Sequence, residues 1–505
     1  MPPSPPMSDR LQSAADAAPD AVPARKRRGP RRALYGAVLI WAVSAIWHSY
    51  KPLPEGVSAQ HPLRAARDVA LLSDVTWVDA DGTRRSEQRI FDESLRLIGQ
   101  ARRAVVADQF LFNDFAAADG ERHRRLSDEL AAALIARKRA VPQLHAVLIT
   151  DPINTVYGGR RAPRLESLRA AGIEVVTTDL GRLRAPNPAW SGLWQLCCRW
   201  AGNDPDGGWL ANPFGPGRVT LRSWLALFNF NANHRKTLVV DEGDGWTALV
   251  ASANPHDASS RHGNVALRFH GAAALDVLAS ERAVARMSGA TWPQGLPQAA
   301  PPPTIVDATL APRVQLLTEA RIRDALIAAI QGARRDERVD LAVFYLSHRG
   351  VIDALIAAQQ RGVRLRVLLD PNEDAFGRKK NGVPNRQVAA ELHAADVPLR
   401  WCDTHGEQCH AKLLLKRGGD GRIELIAGSA NYTRRNLDDY NLESSARILA
   451  EADAPVASEA LAYFEQSWGN GDGRRISTDY AAYADDSALR RLWYRFGEAT
   501  GLSSY

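Results

Sequence analysis

Two stretches of the chain, one in each half, combine side chains that can act together on a phosphodiester. Each stretch presents an imidazole, an ammonium, a hydroxyl and a carboxamide. They are His234, Lys236, Ser252 and Asn254 in the first half, and His410, Lys412, Ser429 and Asn431 in the second. Side chains alternate along a β-strand, so the His and Lys of each half share a face, as do the Ser and Asn. Such a set offers a nucleophile or acid, a cation for the phosphoryl oxygens, and neutral donors around them.

The elements that position these residues also recur. The run from Ala104 to Phe112 corresponds to the run from Val339 to Ser347, and each half later has an apolar strand ending in Asp-Pro, at Asp151 and Asp370. Strands that alternate with amphipathic helices predict an α/β fold. We expect two similar lobes, each a mixed, mostly parallel sheet flanked by helices. Two lobes that meet face to face on a pseudo-two-fold axis would bring both histidines into one site within a monomer.

Composition shifts divide the 505 residues. The predicted parts are a basic disordered tail at 1–32, an apolar segment at 33–48, a linker at 49–66, a first lobe at 67–292, a Pro-rich linker at 293–303 and a second lobe at 304–505. The first lobe contains an insert at 182–230 with five tryptophans: Trp190, Trp194, Trp200, Trp209 and Trp224. Tryptophan favours membrane–water interfaces, so the insert either lines a lipid groove or packs as core.

The apolar segment follows a basic run from Arg25 to Arg32. It is either a membrane anchor or a signal peptide cleaved after Val43-Ser44-Ala45. Ile46 and Trp47 continue the apolar run, which favours the uncleaved anchor. The basic run would stay in the cytoplasm, so we expect a single-pass protein of the cytoplasmic membrane with its catalytic part on the outer side.

The net charge of +7 and the pI near 9.3 favour anionic partners, either phospholipid or nucleic acid. Four cysteines are too few for a disulfide scaffold. Cys402 and Cys409 are expected to form a local disulfide or to remain thiols. A metal site there would recruit His410 as a ligand and remove it from catalysis, so no metal is expected.

The two stretches resemble the signature of the phospholipase D superfamily, H-x-K-x4-D followed by G-S-x-N, and the resemblance extends from about Glu93 to about Trp468. The segment Asp151 to Gly159 is similar to the bacterial cardiolipin synthase branch. The resemblance implies a ping-pong reaction through a phosphohistidine, with no cofactor. By this analogy His234 is the nucleophile and His410 the acid and base. Both lysines, with Ser252, Asn254, Ser429 and Asn431, would hold the phosphate.

The motifs depart from the family pattern in two places. Asp241 completes the first motif as a candidate catalytic residue, but Arg417 stands where the second motif wants an aspartate. Ala251 replaces the glycine of the first closing segment, which costs little if the backbone there is ordinary strand.

The histidines also differ in their expected carboxylate partners. Glu443, two residues after Asn441, is expected to orient His410. The first lobe has Asn264 followed two residues later by Ala266, so its histidine is expected to lack such a partner. The two histidines are therefore not equivalent.

The sequence favours a membrane-anchored phosphatidyltransferase that makes cardiolipin or another phospholipid by headgroup exchange. Its partners would be a phosphatidylglycerol-like donor, an alcohol acceptor and the membrane. The alternatives are a phospholipase D hydrolase, a metal-independent endonuclease, or a tethered binding protein with a decayed site, which the intact motifs disfavour. Near the C-terminus Leu489, Leu492, Trp493 and Phe496 form a helical stripe, expected to dock on the core, with membrane contact as the alternative.

Overall fold

The computed structural model describes residues 29–115, 123–298, 300, 312–375 and 378–503. Residues 1–28 of the predicted tail lie outside the described residues. So do residues 299 and 301–303 of the predicted Pro-rich linker. The described α-helices are α1 (Gly29–Tyr50), α2 (Ile90–Gln100), α3 (Leu126–Ala140), α4 (Pro163–Ala170), α5 (Pro188–Cys197), α6 (Leu221–Leu227), α7 (Ala272–Met287), α8 (Ala320–Gln331), α9 (Arg349–Gln360), α10 (Asn385–His393), α11 (Arg434–Leu437), α12 (Pro455–Gly469) and α13 (Ala488–Thr500).

The described strands of the first half are β1 (Arg64–Ala65), β2 (Arg67–Val78), β3 (Arg84–Glu87), β4 (Ala104–Gln109), β5 (His145–Thr150), β6 (Glu174–Thr177), β7 (Leu210–Ala211), β8 (Arg218–Val219), β9 (Lys236–Asp241), β10 (Trp246–Ala251) and β11 (Asn264–His270). Those of the second half are β12 (Arg313–Thr318), β13 (Arg338–Val343), β14 (Arg364–Leu369), β15 (Asp374–Ala375), β16 (Arg378–Lys379), β17 (Leu399–Cys402), β18 (Lys412–Arg417), β19 (Ile423–Gly428), β20 (Ser444–Ala450) and β21 (Ser477–Asp479).

Two sheets share one strand order, which confirms two similar α/β lobes. The first is β3-β2-β11-β10-β9-β4-β5-β6 and the second is β1-β12-β20-β19-β18-β13-β14-β17-β21. Within them β4-β5-β6 and β13-β14-β17 run parallel, and the other neighbours run antiparallel. The expectation of mostly parallel sheets is therefore wrong. The strands after each His-x-Lys motif are joined by short turns, at 242–245 and 418–422, and short turns force antiparallel pairing.

The sheets are buried on both faces, which explains their continuous apolar strands. Along β9, Val239 points into a core shared by both lobes, while Leu238 and Val240 point into a separate core beneath α2, α3 and α4. The shared core combines strands of both sheets with α7 and α12. The lobes are thus joined by apolar packing, so the relative position of the two motifs is held rigidly.

The predicted linker at 49–66 contributes to the second lobe. β1 pairs antiparallel with β12, although it precedes the first lobe in the chain. Its Arg64 is buried and donates from Nε to Asp276 Oδ2 on α7 at 2.5 Å. This segment therefore ties the two lobes together.

In the described part of the chain, α1 is the one helix long and apolar enough to cross a membrane. It packs along α5 of the insert: Trp41 Nε1 donates to Ala189 O at 2.8 Å, and Ser44 Oγ donates to Gly192 O at 3.0 Å. Gly192 is needed there, because an added Cβ would lie 2.8 Å from Ala45 Cβ. The helix is thus attached to the folded body.

The insert tryptophans differ in burial, and the expected core packing holds for one of them. Trp194 is buried, whereas Trp200 is 73% and Trp209 is 59% exposed. The expected docking of the C-terminal stripe is wrong, because Leu489, Leu492, Trp493 and Phe496 on α13 are all exposed.

The two closing segments predict a difference in tolerance to a side chain. A Cβ added at Gly428 would lie 2.2 Å from Ser444 O, whereas the equivalent position in the first lobe already carries Ala251. We expect Gly428→Ala to lower the free energy of unfolding by about 1–3 kcal/mol, since backbone atoms must move. The control Ala251→Gly should cost about 1 kcal/mol or less. Urea unfolding of the full chain in detergent measures both, and equal effects would contradict the clash.

Candidate active site

The two motifs lie side by side because each is hydrogen-bonded to the other lobe. His234 N donates to Leu442 O at 2.9 Å, and His410 N donates to Gly263 O at 2.6 Å. The residue before each histidine forms a parallel bridge with the same partner segment, Asn233 with Leu442 and Cys409 with Gly263. The structure therefore has the pseudo-two-fold relation that the duplication predicts, with both motifs at one interface.

Glu443 contacts the histidine of the first lobe. Its Oε1 lies 2.9 Å and its Oε2 3.1 Å from His234 Nδ1. The carboxylate is fully buried and also accepts hydrogen bonds from Ser429 Oγ and Asn436 Nδ2. The expectation that Glu443 orients His410 is wrong, because the segment that carries Glu443 crosses to the opposite lobe's motif.

The histidine of the second lobe has a carboxamide partner instead. His410 Nδ1 lies 3.1 Å from Asn264 Oδ1, which also accepts from Ser252 Oγ at 3.0 Å. Asn264 is thus the spatial counterpart of Glu443, not of Asn441 as the sequence alignment suggests. The segment from Ser429 to Glu443 is two residues longer than the segment from Ser252 to Asn264. A comparison by sequence spacing therefore pairs Asn264 with the wrong residue.

The hydroxyls of both motif serines form hydrogen bonds within the protein, which disfavours the expected phosphate-binding role. Ser252 Oγ donates to Asn264 and accepts from Val265 N at 3.0 Å. Ser429 Oγ donates to Glu443 and accepts from Ser444 N at 3.0 Å. The hydroxyls are fully engaged in holding the residues behind the histidines.

The two motif asparagines keep polar atoms available. Asn254 and Asn431 are each 6% exposed. Among the described residues Asn254 Oδ1 accepts a single long hydrogen bond, of 3.5 Å from Leu111 N, and Asn431 Oδ1 has no partner. These carboxamides remain candidates for contact with a bound group.

Each motif lysine folds back over its own histidine and an aromatic ring. Lys236 Nζ donates to His234 O at 2.6 Å, and Lys412 Nζ donates to His410 O at 2.7 Å. The ammonium groups lie 5.0 Å from the ring centroid of Phe110 and 5.3 Å from that of Phe344. Phe110 and Phe344 are equivalent, because their backbone N–H groups donate to Arg235 O and Ala411 O, the residues after the two histidines. The expected correspondence of Ala104 with Val339 is therefore wrong by one residue.

Burial dominates the electrostatics of the site. It lowers the pKa of His234 to about 4, and it lowers the pKa of His410 well below its ordinary value together with the charge of Lys412. Burial lowers the pKa of Lys236 to about 7, and burial and the Lys236 charge lower the pKa of Lys412. Burial opposes ionisation of Glu443, but His234 and Lys236 hold the pKa of that carboxyl below its ordinary value. The cluster is therefore ready to receive an anion, whose charge would favour protonated lysines.

Asp241 takes no part in this cluster. It ends β9, five residues beyond Lys236, which is about 16 Å along a strand. There it pairs with Arg103 and accepts from Gly243 N at 2.7 Å. Arg417 ends β18 at the matching position, so the second lobe loses nothing at the site by its substitution.

Two buried aspartates hold the backbone just before each histidine. Asp151 Oδ2 accepts from Asn233 N and Asp370 Oδ2 from Cys409 N, both at 2.7 Å. Burial raises the pKa of each carboxyl to about 7. Their Asp-Pro turns were visible in the sequence, but this contact was not. Cys409 also forms a disulfide with Cys402, one of the two expected states.

His262 is a further residue that sequence reasoning missed. Its ring centroid lies 6.0 Å from that of His410, and its Nδ1 accepts from Gln408 N at 3.2 Å. Nε2 must then carry the proton, and within the described residues it has no partner. The equivalent place in the other lobe holds Asn441, whose Oδ1 accepts from Ala232 N at 3.0 Å.

Comparisons with known proteins match one lobe to a family model and most of the chain to solved structures. Residues 326–468 match the family model described as "Cardiolipin synthase, PLD-like domain". A comparison with curated protein sequences gives no match. The crystal structure of a phosphatidylserine synthase from Haemophilus influenzae Rd KW20 matches with a TM-score of 0.53 and 10% identity, over 88% of this chain and 96% of that one. At this identity the match establishes a shared fold.

Two other solved structures match less well. A polyphosphate kinase from Porphyromonas gingivalis has a TM-score of 0.44 and 13% identity, over 87% of this chain and 54% of that one. A phospholipase D family member, Nuc from Salmonella typhimurium, has a TM-score of 0.26 and 20% identity, over 33% of this chain and 97% of that one.

The buried lysines predict a gain in stability when one is removed. The pKa of Lys236 falls from 10.5 to about 7 on folding, so between these values the unfolded chain binds more protons. Lys236→Met should therefore raise the free energy of unfolding at pH 7 by about 1 kcal/mol or more, and the gain should fade as the pH approaches 10.5.

The control is Lys416→Met, since Lys416 is partly exposed and lies 3.9 Å from Glu424. It should change stability by about 0.5 kcal/mol or less. Inorganic phosphate should raise the melting temperature of the unmodified protein and of the control, but not that of Lys236→Met. A loss of stability in Lys236→Met at pH 7 would contradict this account of the site.

Proposed function

We propose that this chain, a member of the phospholipase D superfamily, is a membrane-anchored phosphatidyltransferase. It would move a phosphatidyl group from a donor phospholipid to the hydroxyl of an acceptor through a phosphohistidine. One observation carries the proposal: two imidazoles from different lobes meet in one buried cationic site, and among the described residues a carboxylate lies behind His234 and a carboxamide behind His410. A two-step displacement needs one imidazole to attack and another to move protons.

In the first step His234 is the nucleophile. Glu443 accepts a hydrogen bond from His234 Nδ1–H, so the proton stays on Nδ1 and the Nε2 lone pair is free to attack phosphorus. A bond forms between Nε2 and phosphorus while the bond from phosphorus to the donor's headgroup oxygen breaks. His410, protonated in the presence of the substrate anion, gives its proton to that oxygen, and the headgroup leaves as an alcohol.

In the second step His410, now neutral, removes the proton from the acceptor hydroxyl. The acceptor oxygen attacks phosphorus, the phosphorus–nitrogen bond breaks, and His234 is regenerated. Lys236 and Lys412 would hold the non-bridging oxygens, with Asn254 and Asn431 beside them, so that the developing charge is stabilised by groups already in place. Ser252 and Ser429 would act indirectly, by orienting the partners of the histidines.

Contacts around α1 support a membrane lipid as the substrate. The insert helix α5 lies along the second half of α1 and exposes Leu193 and Leu196, 45% and 46% of whose surfaces are accessible. A retained anchor would place α5 in the outer part of the bilayer. The contacts of Trp41 and Ser44 with α5 favour retention over cleavage after Ala45. We propose that the protein spans the bacterial cytoplasmic membrane once, with the site on its outer side.

The low exposure of the site favours transfer over hydrolysis. His234 is 8% and His410 is 7% exposed, so water has limited access to the intermediate. A basic surface for nucleic acid has less support, because the run from Arg25 to Arg32 contains six of the chain's cations.

Replacement of the carboxylate tests the assigned roles. Glu443→Gln should lower kcat by about a thousandfold, because a carboxamide does not stabilise the charge that His234 acquires during attack. Asn264→Ala, which removes the matching partner of His410, should cost less. In His410→Gln, a donor with a good leaving group should label His234 as phosphohistidine, since the second step lacks its base. Mass spectrometry locates the label, and a label on His410 in His234→Gln instead would reverse the roles.

Product analysis tests the proposed reaction. In phosphatidylglycerol vesicles the full-length chain should form a phospholipid with a new headgroup, and phosphatidic acid should be the minor product. Lipid mass spectrometry with and without an excess of small alcohol measures the ratio. Dominant phosphatidic acid despite excess alcohol would indicate a hydrolase. Untouched lipid together with cleavage of plasmid DNA in chelator would indicate a nuclease.

A further inference from the structure

Helix α13 presents an apolar stripe to the outside of the protein. Leu489, Leu492, Trp493 and Phe496 are 77%, 67%, 70% and 49% exposed. They recur at i, i+3, i+4 and i+7, so they form one continuous face of the helix. Four large apolar side chains in one exposed row need an occupant.

The opposite face of α13 attaches the helix to the second lobe through polar contacts. Tyr494 is 2% exposed and donates from its hydroxyl to Glu391, which also pairs with Arg495 at 2.9 Å. Glu498 Oε1 accepts from Ser347 Oγ at 2.7 Å and from Arg434 N at 2.6 Å. At about 100° per residue, Tyr494 and Glu498 lie roughly opposite the stripe. The stripe is therefore directed away from the body, and not along the edge of the core.

The end of α13 lies at the level where α1 ends. Gly501, which follows α13, is packed so closely on Pro186 that a Cβ there would lie 1.6 Å from Pro186 O. The preceding residue, Ala185, donates from its N–H to His48 O at 2.8 Å, in the last turn of α1. Two contacts thus connect the C-terminal end of α13 to the end of the candidate membrane helix. If α1 spans a bilayer, this level is the membrane–water interface.

The composition of α13 suits that interface. Its 13 residues include three arginines, one glutamate and one tryptophan. Arg490 and Arg495 flank the stripe on its two sides and pair with Asp485 and Glu391, at 2.6 and 2.9 Å, and 51% and 53% of their side-chain surfaces remain exposed. Leu, Trp and Phe on one face with arginines beside them are typical of helices that lie in the headgroup region of an anionic bilayer.

We propose that α13 lies in the plane of the membrane interface, with its stripe in the acyl region and the exposed parts of Arg490 and Arg495 among anionic headgroups. The occupant of the stripe is the lipid bilayer. Glu498 contacts the start of α11, which follows the segment that carries Ser429 and Asn431, so α13 holds the rim of the site against the membrane. The inference rests on the proposed function only in taking α1 to be inserted in the bilayer.

Spin labels on the full-length chain in vesicles that contain phosphatidylglycerol test the depth of the stripe. A label at Trp493→Cys or Leu489→Cys should be accessible to oxygen and protected from an aqueous nickel chelate. The control label, Asp420→Cys, is on the turn between β18 and β19 at the far end of the sheet, and Asp420 is 61% exposed. It should show the reverse. Equal access of the chelate to positions 493 and 420 would overturn the proposal, as would spin–spin coupling between copies at 493, which would indicate a second chain on the stripe.

Activity provides an independent measurement. The double variant Leu492→Ser/Trp493→Ser should lose about tenfold or more of its turnover of long-chain lipid in vesicles. It should keep the turnover of a dispersed short-chain lipid, because no contact of the site changes. Equal loss on both substrates would assign α13 a structural role and overturn the proposal. If neither substrate reacts with the unmodified protein, the proposed function fails, while the spin labels still decide the position of α13.

Discussion

The site depends on one constraint: each histidine is oriented by a residue of the opposite lobe. His234 contacts Glu443 and His410 contacts Asn264, and backbone hydrogen bonds beside each pair hold the two segments together. Neither lobe alone has an oriented imidazole. The apolar core shared by the two sheets keeps these contacts in place. The geometry of the site therefore depends on how the two lobes pack.

Duplication supplied symmetry, and divergence then made the two halves unequal. The backbone contacts, lysines, phenylalanines and aspartates around the motifs are repeated almost atom for atom. The partners behind the histidines are not repeated: a carboxylate stands behind one and a carboxamide behind the other. His262 faces the second histidine where the first lobe's histidine has Asn441. Unequal partners on a symmetric scaffold suit the reaction that we propose, in which one imidazole attacks and the other transfers protons.

The same site shows a conflict between stability and chemistry. Burial lowers the pKa of both motif lysines, and the charge of Lys236 lowers that of Lys412 further, while Glu443 is the carboxylate that opposes this effect most at each lysine. An anionic phosphate beside these groups would favour their protonated forms and so offset the cost of burying them. The exposed apolar surfaces of α1, α5 and α13 likewise cost free energy in water, and contact with lipid would remove that cost.

Local pattern determined much of this protein from the sequence. The repeated His-x-Lys and Ser-x-Asn sets, the two α/β lobes and the apolar helix α1 all follow from periodicity and spacing, which are properties of short segments. Tertiary structure decided which groups meet. The assignment of Glu443 to His234, the exclusion of Asp241, the engagement of both serines and the exposure of the α13 stripe depend on contacts between distant segments. Spacing along a chain cannot reveal these contacts, because a two-residue offset between the halves, or the crossing of a segment to the other lobe, leaves no mark in either motif.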